Sequence, residues 1–387
     1  MLKRVSNIVW KIVIPLLILS IFLYIGILIG IQWDYKTIDP NFWNSKSGSR
    51  QHIPAIQNST KSNSLNPDNA DAYMQRGATK ALLGKHFEAI KDFDKVISLE
   101  PNNAKAYSYR GNVKGMLKQY TAAIQDFDKA ISLDPNNAKA YAGRGLAKEK
   151  LNQYSAAIKD FDKAISLEPN NADNYHGRGN VKMNIGKNLE AIKDFDKAIS
   201  LDHKNTNAYV SRGFARAKLK QHFEAIQDFD KAVSLEPKNA IPYNNRGLAK
   251  AELGHYLEAI KDFDKAINLE PNNATSYNNR GLTKAELGRY HEATQDLNKA
   301  ISLNPNYAKA YMNRGDVKAI LKQYSAAIQD YDKAISLNPD NAKAYCNRAL
   351  AKYTLGQRSA AIKDLDKAIS IDPNAEGVYL ARQIILH

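Results

Sequence analysis

Ala104–Asn137 reads AKAYSYRGNVKGMLKQYTAAIQDFDKAISLDPNN, and the same 34-residue frame recurs without insertion from Ala70 to about Ala375. Nine copies fit. Pro67, Pro101, Pro135, Pro169, Pro237, Pro271, Pro305, Pro339 and Pro373 keep the period, with His203 in the one vacant slot. With the 34 positions numbered from Ala104, positions 4, 8 and 11 (Tyr107, Gly111, Lys114) follow i, i+4, i+7 spacing and predict a first helix. Positions 20, 21, 24, 27 and 28 (Ala123, Ile124, Phe127, Ala130, Ile131) mark the apolar face of a second. Pro135 ends it, because proline disfavours α conformation in the preceding residue and donates no helical hydrogen bond. Each copy is therefore a helical hairpin with too little core to stand alone, and stacking buries the remaining apolar faces.

Glycine holds position 8 in eight of nine copies, Ala349 being the exception. A mid-helix glycine is roughly 0.8–1.0 kcal/mol worse than alanine. Its recurrence points to close helix approach, with alanine at positions 20 and 27 supplying the other small surfaces. Every copy also carries an aromatic at position 4 (Tyr73, Tyr107, Tyr141, Tyr175, Tyr209, Tyr243, Tyr277, Tyr311, Tyr345), and seven carry one at position 24.

Together these positions resemble the tetratricopeptide repeat (TPR) family over residues 68–387. The resemblance implies an all-α fold: antiparallel helix pairs wound into a right-handed superhelical solenoid, whose concave groove holds extended peptides or partner proteins. One departure stands out. The family usually has leucine at position 7, and here every copy has arginine, Arg76 to Arg348, while position 23 is uniformly aspartate, Asp92 to Asp364. Arginine's planar fork suits a partly buried carboxylate partner. The spacing predicts structural ion pairs within each hairpin, such as Arg246 with Asp262 and Arg280 with Asp296. A row of cationic ligand sites is the alternative reading.

The N-terminus does not belong to the repeat. Ile12–Ile31, IVIPLLILSIFLYIGILIGI, is 20 residues without a charge, about 30 Å as a helix and the thickness of a bilayer's hydrocarbon core. Trp10 and Trp33 flank it, and GIQWDY follows where a cleaved signal peptide would have small residues. Residues 1–33 thus read as a signal anchor. Lys3, Arg4 and Lys11 keep the N-terminus cytoplasmic and send the repeats across to the extracytoplasmic side, which is the periplasm if the host is a bacterium. Residues 34–67 are polar and aperiodic, a flexible linker. The expected organisation is completed by nine repeats over 68–374 and a capping helix over 375–387.

Charge and composition narrow the function. The net charge is +15, of which residues 1–66 hold seven Lys/Arg against two Asp. The remainder is spread among interleaved Asp and Lys, unlike the concentrated stripe of a nucleic-acid binder. Cys346 is the one cysteine, which excludes an internal disulfide and a multi-cysteine zinc site. The histidines show no metal-ligand spacing, and there is no phosphate loop or nucleophile motif. The sequence therefore predicts no enzyme, no cofactor and no metal.

Binding must come from positions that vary. Positions 2, 5, 6, 9, 12 and 13 share the opposite face of the first helix, which lines the groove in TPR proteins. Position 6 holds Asn245, Asn279, Asn313 and Asn347 in the last four copies, with Asn244 and Asn278 beside two of them at position 5. Each amide offers donors and an acceptor that match a peptide backbone, and related proteins use such a ladder this way. Lys309 and Lys343 at position 2 suit an acidic segment, and Phe214, Leu248 and Leu282 at position 9 offer apolar contact. The chaperone-tail clamp of the family is missing, since no copy has lysine at 5 or arginine at 6. The expected function is a membrane-anchored scaffold that binds proteins or extended peptides. The alternative is a structural solenoid that self-associates through the C-terminal helix or the membrane span, its groove unoccupied.

Overall fold

The computed structural model of the protein describes residues 68–372, 381–383 and 385. They contain eighteen helices of 13 or 14 residues in strict alternation, with no strand among the described residues. They fall into two units, divided after Leu235. The first holds α1 (Ala70–Leu82), α2 (His86–Leu99), α3 (Ala104–Met116), α4 (Tyr120–Leu133) and α5 (Ala138–Lys150). It continues with α6 (Tyr154–Leu167), α7 (Ala172–Asn184), α8 (Asn188–Leu201), α9 (Thr206–Lys218) and α10 (His222–Leu235). The second unit holds α11 (Ala240–Glu252), α12 (Tyr256–Leu269), α13 (Ala274–Glu286) and α14 (Tyr290–Leu303). Its last two hairpins are α15 (Ala308–Ile320) with α16 (Tyr324–Leu337), and α17 (Ala342–Thr354) with α18 (Arg358–Ile371).

Local chemistry sets the boundaries. The asparagine before the first helix of most hairpins caps it; Asn69 Oδ1, for example, accepts from the Ala72 amide at 3.0 Å. Such a cap contributes about 1 kcal/mol. Tyr307 takes that place before α15 and provides no side-chain cap. The turn inside every hairpin passes through one left-handed residue: Gly84, Lys118, Asn152, Gly186, Lys220, Gly254, Gly288, Lys322 and Gly356. Glycine meets that need without strain, whereas the three lysines carry a Cβ there.

Packing explains the position-8 glycines. A Cβ on Gly179 would lie 2.6 Å from the Phe195 ring, and one on Gly315 would lie 2.6 Å from Tyr331. In the seven hairpins that carry one, the position-24 ring thus packs against the bare backbone of its own first helix, and these rings are fully buried. Ala349 is accommodated because its hairpin carries Leu365 in place of the ring. Within each unit, consecutive first helices touch one another, and the second helices make no comparable contact among themselves. The first helices therefore line the inner face of each unit.

At the C-terminal end, Ala381 and Ile385 are buried in one core cluster with Ala351, Leu365 and Ala368. Ala381 and Ile385 thus pack on their own chain, which removes Ile385 from any surface offered to a second molecule. The apolar run 12–31 and the linker lie outside the described residues. Among the described residues, no helix is long and apolar enough to cross a membrane.

Candidate functional site

A continuous ion ladder runs through the hairpins of each unit. Arg110 Nε and Nη2 donate to the two carboxylate oxygens of Asp126 at 2.9 and 2.6 Å. Its Nη1 reaches Asp94 of the preceding hairpin at 2.6 Å. Lys114, one turn on, meets the other side of Asp126 at 2.7 Å. The arrangement recurs through Arg144, Arg178 and Arg212 in the first unit and through Arg280 and Arg348 in the second. Arg246 and Arg280 hold Asp262 and Asp296, each with a lysine, Lys250 and Lys284, on the far oxygen. At Arg314 the cross-hairpin acceptor is Asn298 Oδ1, at 2.7 Å.

Each guanidinium also sits over the tyrosine three residues before it, as Arg144 does over Tyr141 at 5.4 Å. Burial works against the Arg110 cation, but the bonds to Asp126 and Asp94 outweigh it and raise its pKa further. The arginines are therefore committed to the scaffold, both within a hairpin and to the one before it. Sequence spacing indicated the first pairing only. The Lys/Arg at position 11 in all nine copies and the aspartate at 25 in eight were the signals for the rest.

The inner face departs from expectation. Asn278, Asn279, Asn313 and Asn347 are 0, 6, 1 and 2 % exposed. Asn313 Nδ2 donates to Asn278 Oδ1 at 2.8 Å, Asn278 Nδ2 to Asn279 Oδ1 at 3.3 Å, and Asn279 Nδ2 to Asn244 Oδ1 at 3.2 Å. Ser276 Oγ joins the same acceptor, and Asn347 Nδ2 donates to Asp316 Oδ1. The expected open ladder is corrected: these amides bond to one another between neighbouring first helices and are not displayed to a visitor. Position 6 lies at the seam between those helices, where an unpaired amide would be expensive. Asn245 is buried as well, and Asn244 is half-buried.

The apolar candidates are corrected likewise. Phe214 and Leu248 are buried between helices and offer little contact area, while Leu282 is half-buried. Lys309 and Lys343 are half-buried on the inner face. Cys346, expected to face the groove, is buried, and burial pushes its thiol up to about 12. Such a thiol is an unreactive small hydrophobe. No group of His, Cys, Asp and Glu among the described residues could hold a metal ion.

In the first unit the seam is filled differently. Gly143 and Gly177 occupy position 6, where a Cβ would press into the Phe127 and Phe161 rings of the preceding hairpins. At the next seam, His176 Nε2 lies 3.0 Å from Ser211 Oγ, and burial pushes its pKa down to about 4. Tyr109 stacks on Phe93 at 5.8 Å and keeps 43 % of its surface exposed.

These features define a TPR scaffold, and the comparisons agree. Family profiles described as "Tetratricopeptide repeat" match residues 104–137, 138–171, 274–307 and 342–375, and 70–103, 172–205 and 206–239. One described as "TPR repeat" matches 250–288 and 315–356. The chain belongs to the tetratricopeptide repeat family. No curated protein sequence matches it significantly. Among solved structures it is similar to the APC/C hetero-tetramer Cut9–Hcn1 at 15% identity and a TM-score of 0.57, covering 90% of this chain and 85% of that one. It is similar to yeast Tom70 at 18% identity and 0.53, covering 87% and 85%. A tetratricopeptide repeat protein from Parabacteroides merdae gives 21% and 0.55, covering 65% of this chain and 99% of that one. At these identities the likeness is one of fold.

Proposed function

We propose that this protein is a membrane-anchored TPR scaffold that holds a partner protein, through an extended segment, along the inner faces of its hairpin stack, without catalysis. The observation that carries the reading is a contrast in variability on the first helices. Arg, Lys and Tyr at positions 7, 11 and 4 recur because the ion ladder uses them. Positions 2 and 13, at the edge of the seam on the inner face, change from copy to copy and keep part of their surface exposed. A surface that only had to stack would need no such variety. The anchor reading rests on residues 12–31, whose length and flanks suit a bilayer, and the charge bias directs the repeats away from the cytoplasm.

The test is crosslinked capture from the native membrane with three forms of the full chain: wild type, an inner-face variant (Lys309→Glu with Lys343→Glu) and an outer-face variant (Phe87→Ser with Phe223→Ser). Loss of captured partner in the inner-face variant alone, with helicity unchanged, is the expected result. Loss in the outer-face variant alone moves binding to the second helices. For the anchor, a chain lacking residues 1–33 should leave the membrane fraction under alkaline extraction. If it stays, the span is not what holds the protein there.

A further inference from the structure

Two departures from the repeat coincide in space. Asp316 is the one carboxylate at position 9, and Tyr331 is the one tyrosine at position 24. Tyr331 Oη donates to Asp316 Oδ1 at 2.9 Å, and Asn347 Nδ2 donates to the same oxygen at 2.7 Å. Tyr331 and Asn347 are 0 and 2 % exposed, so both hold the carboxylate from the protein side. Asp316 itself sits on the inner face at 9 % exposure. Asn347 Oδ1, on the same amide that donates to Asp316, is a buried acceptor that receives no hydrogen bond.

A cation acts on this carboxylate from the neighbouring helix. Lys343, on the next first helix, attracts Asp316 but forms no ion pair with it. The same ammonium also acts on Glu286 of the preceding first helix. One cation thus faces two carboxylates, and burial raises the pKa of both. A buried acceptor without a donor, beside a carboxylate, is costly to keep in a fold. Leucine at the same position in Leu248, Leu282 and Leu350 shows that the hairpin does not require it.

We propose that Asp316, oriented by Tyr331 and Asn347, is a receiving pocket for a cationic side chain, the guanidinium or ammonium of an arginine or lysine in a segment lying along α13, α15 and α17. A guanidinium brings donors only and no acceptor, which suits a carboxylate beside a buried amide oxygen that has no donor. The inference rests on the inner-face binding reading and adds a residue preference to it. Asp316 would contact the ligand; Tyr331 and Asn347 are positioning residues.

The test uses the full chain in uncharged detergent and fluorescent octapeptides of one mixed sequence, differing only at a central arginine, citrulline, lysine or norleucine. Citrulline keeps the shape of arginine and removes its charge. Wild type should bind the arginine and lysine forms at least ten-fold more tightly than the citrulline and norleucine forms. Asp316→Asn, and independently Asp316→Leu, should shrink that gap to two-fold or less while thermal stability is kept or raised. Equal binding of the arginine and citrulline forms to wild type overturns this pocket and leaves the inner-face reading standing. Binding of none of the four overturns both. A gap that persists in Asp316→Asn and Asp316→Leu assigns the preference to another carboxylate and also overturns the proposal.

Discussion

The two units share one scaffold and differ along the inner face. In both, arginine at 7, lysine or arginine at 11 and aspartate at 23 lock each hairpin, and within each unit the residue at 25, aspartate or in one copy Asn298, ties it to the next. Between successive first helices, however, the first unit places glycine against a preceding ring, or a histidine against a serine, while the second places linked amides. The difference teaches that one shared ladder tolerates seams of several chemistries. Because the seam is filled by the chain itself, ligand contact is left to the few groups at its edge.

Breaking the shared element should have the largest effect, and the same one in both units. Asp160→Ala and Asp262→Ala each strand an arginine and a lysine beside an emptied site. Each should destabilise its hairpin by about 3–5 kcal/mol. Hydrogen exchange should show protection lost in the mutated hairpin and its neighbours; intact protection would mean that the ladder is decoration. Acid sharpens the comparison next. His176 is neutral in the fold with its pKa near 4, while an unfolded histidine titrates near 6.5, so the unfolded chain binds the extra proton first. Stability from this group is complete above pH 6.5 and is lost as pH falls towards 4, by about 3 kcal/mol. Denaturant melts of wild type and His176→Phe should converge over that window; parallel curves would refute the assignment.

Exchanging seam fillings comes third. Gly177→Asn imports the second unit's residue into a place where the Phe161 ring lies, and should be destabilising by about 1–3 kcal/mol. The reciprocal loss is smaller. Asn313→Ala leaves Asn278 Oδ1 buried without its donor, for about 1–2 kcal/mol. If Gly177→Asn is neutral, the seams are interchangeable and the contrast between the units is superficial. The smallest effect is a gain. Lys220→Gly relieves a side chain at φ 61° and should stabilise by a few tenths of a kcal/mol, up to about 1. A loss there would mean that the lysine makes contacts outweighing its backbone strain.

Sequence alone determined the hairpin, its period and the ion pair within it. Identical letters every 34 residues report an environment that is itself repeated, and Arg-at-7 with Asp-at-23 needs only helix geometry to meet. The same logic would have found Lys114 with Asp126 and Arg110 with Asp94, since both classes of position are nearly uniform. It failed for Asn279, Asn313 and Asn347. Helical periodicity assigns a residue to a side of its own helix, but not how closely the next hairpin approaches, as the Phe161 ring does on Gly177. Only the packed structure decided that this side closes into a seam, consuming the amides and burying Phe214 and Leu248. Only there do Asp316 and Tyr331, two isolated exceptions in the sequence, come within one hydrogen bond of each other. The physical reason is that a repeat encodes what its copies share, while burial at a contact between copies depends on two residues at once.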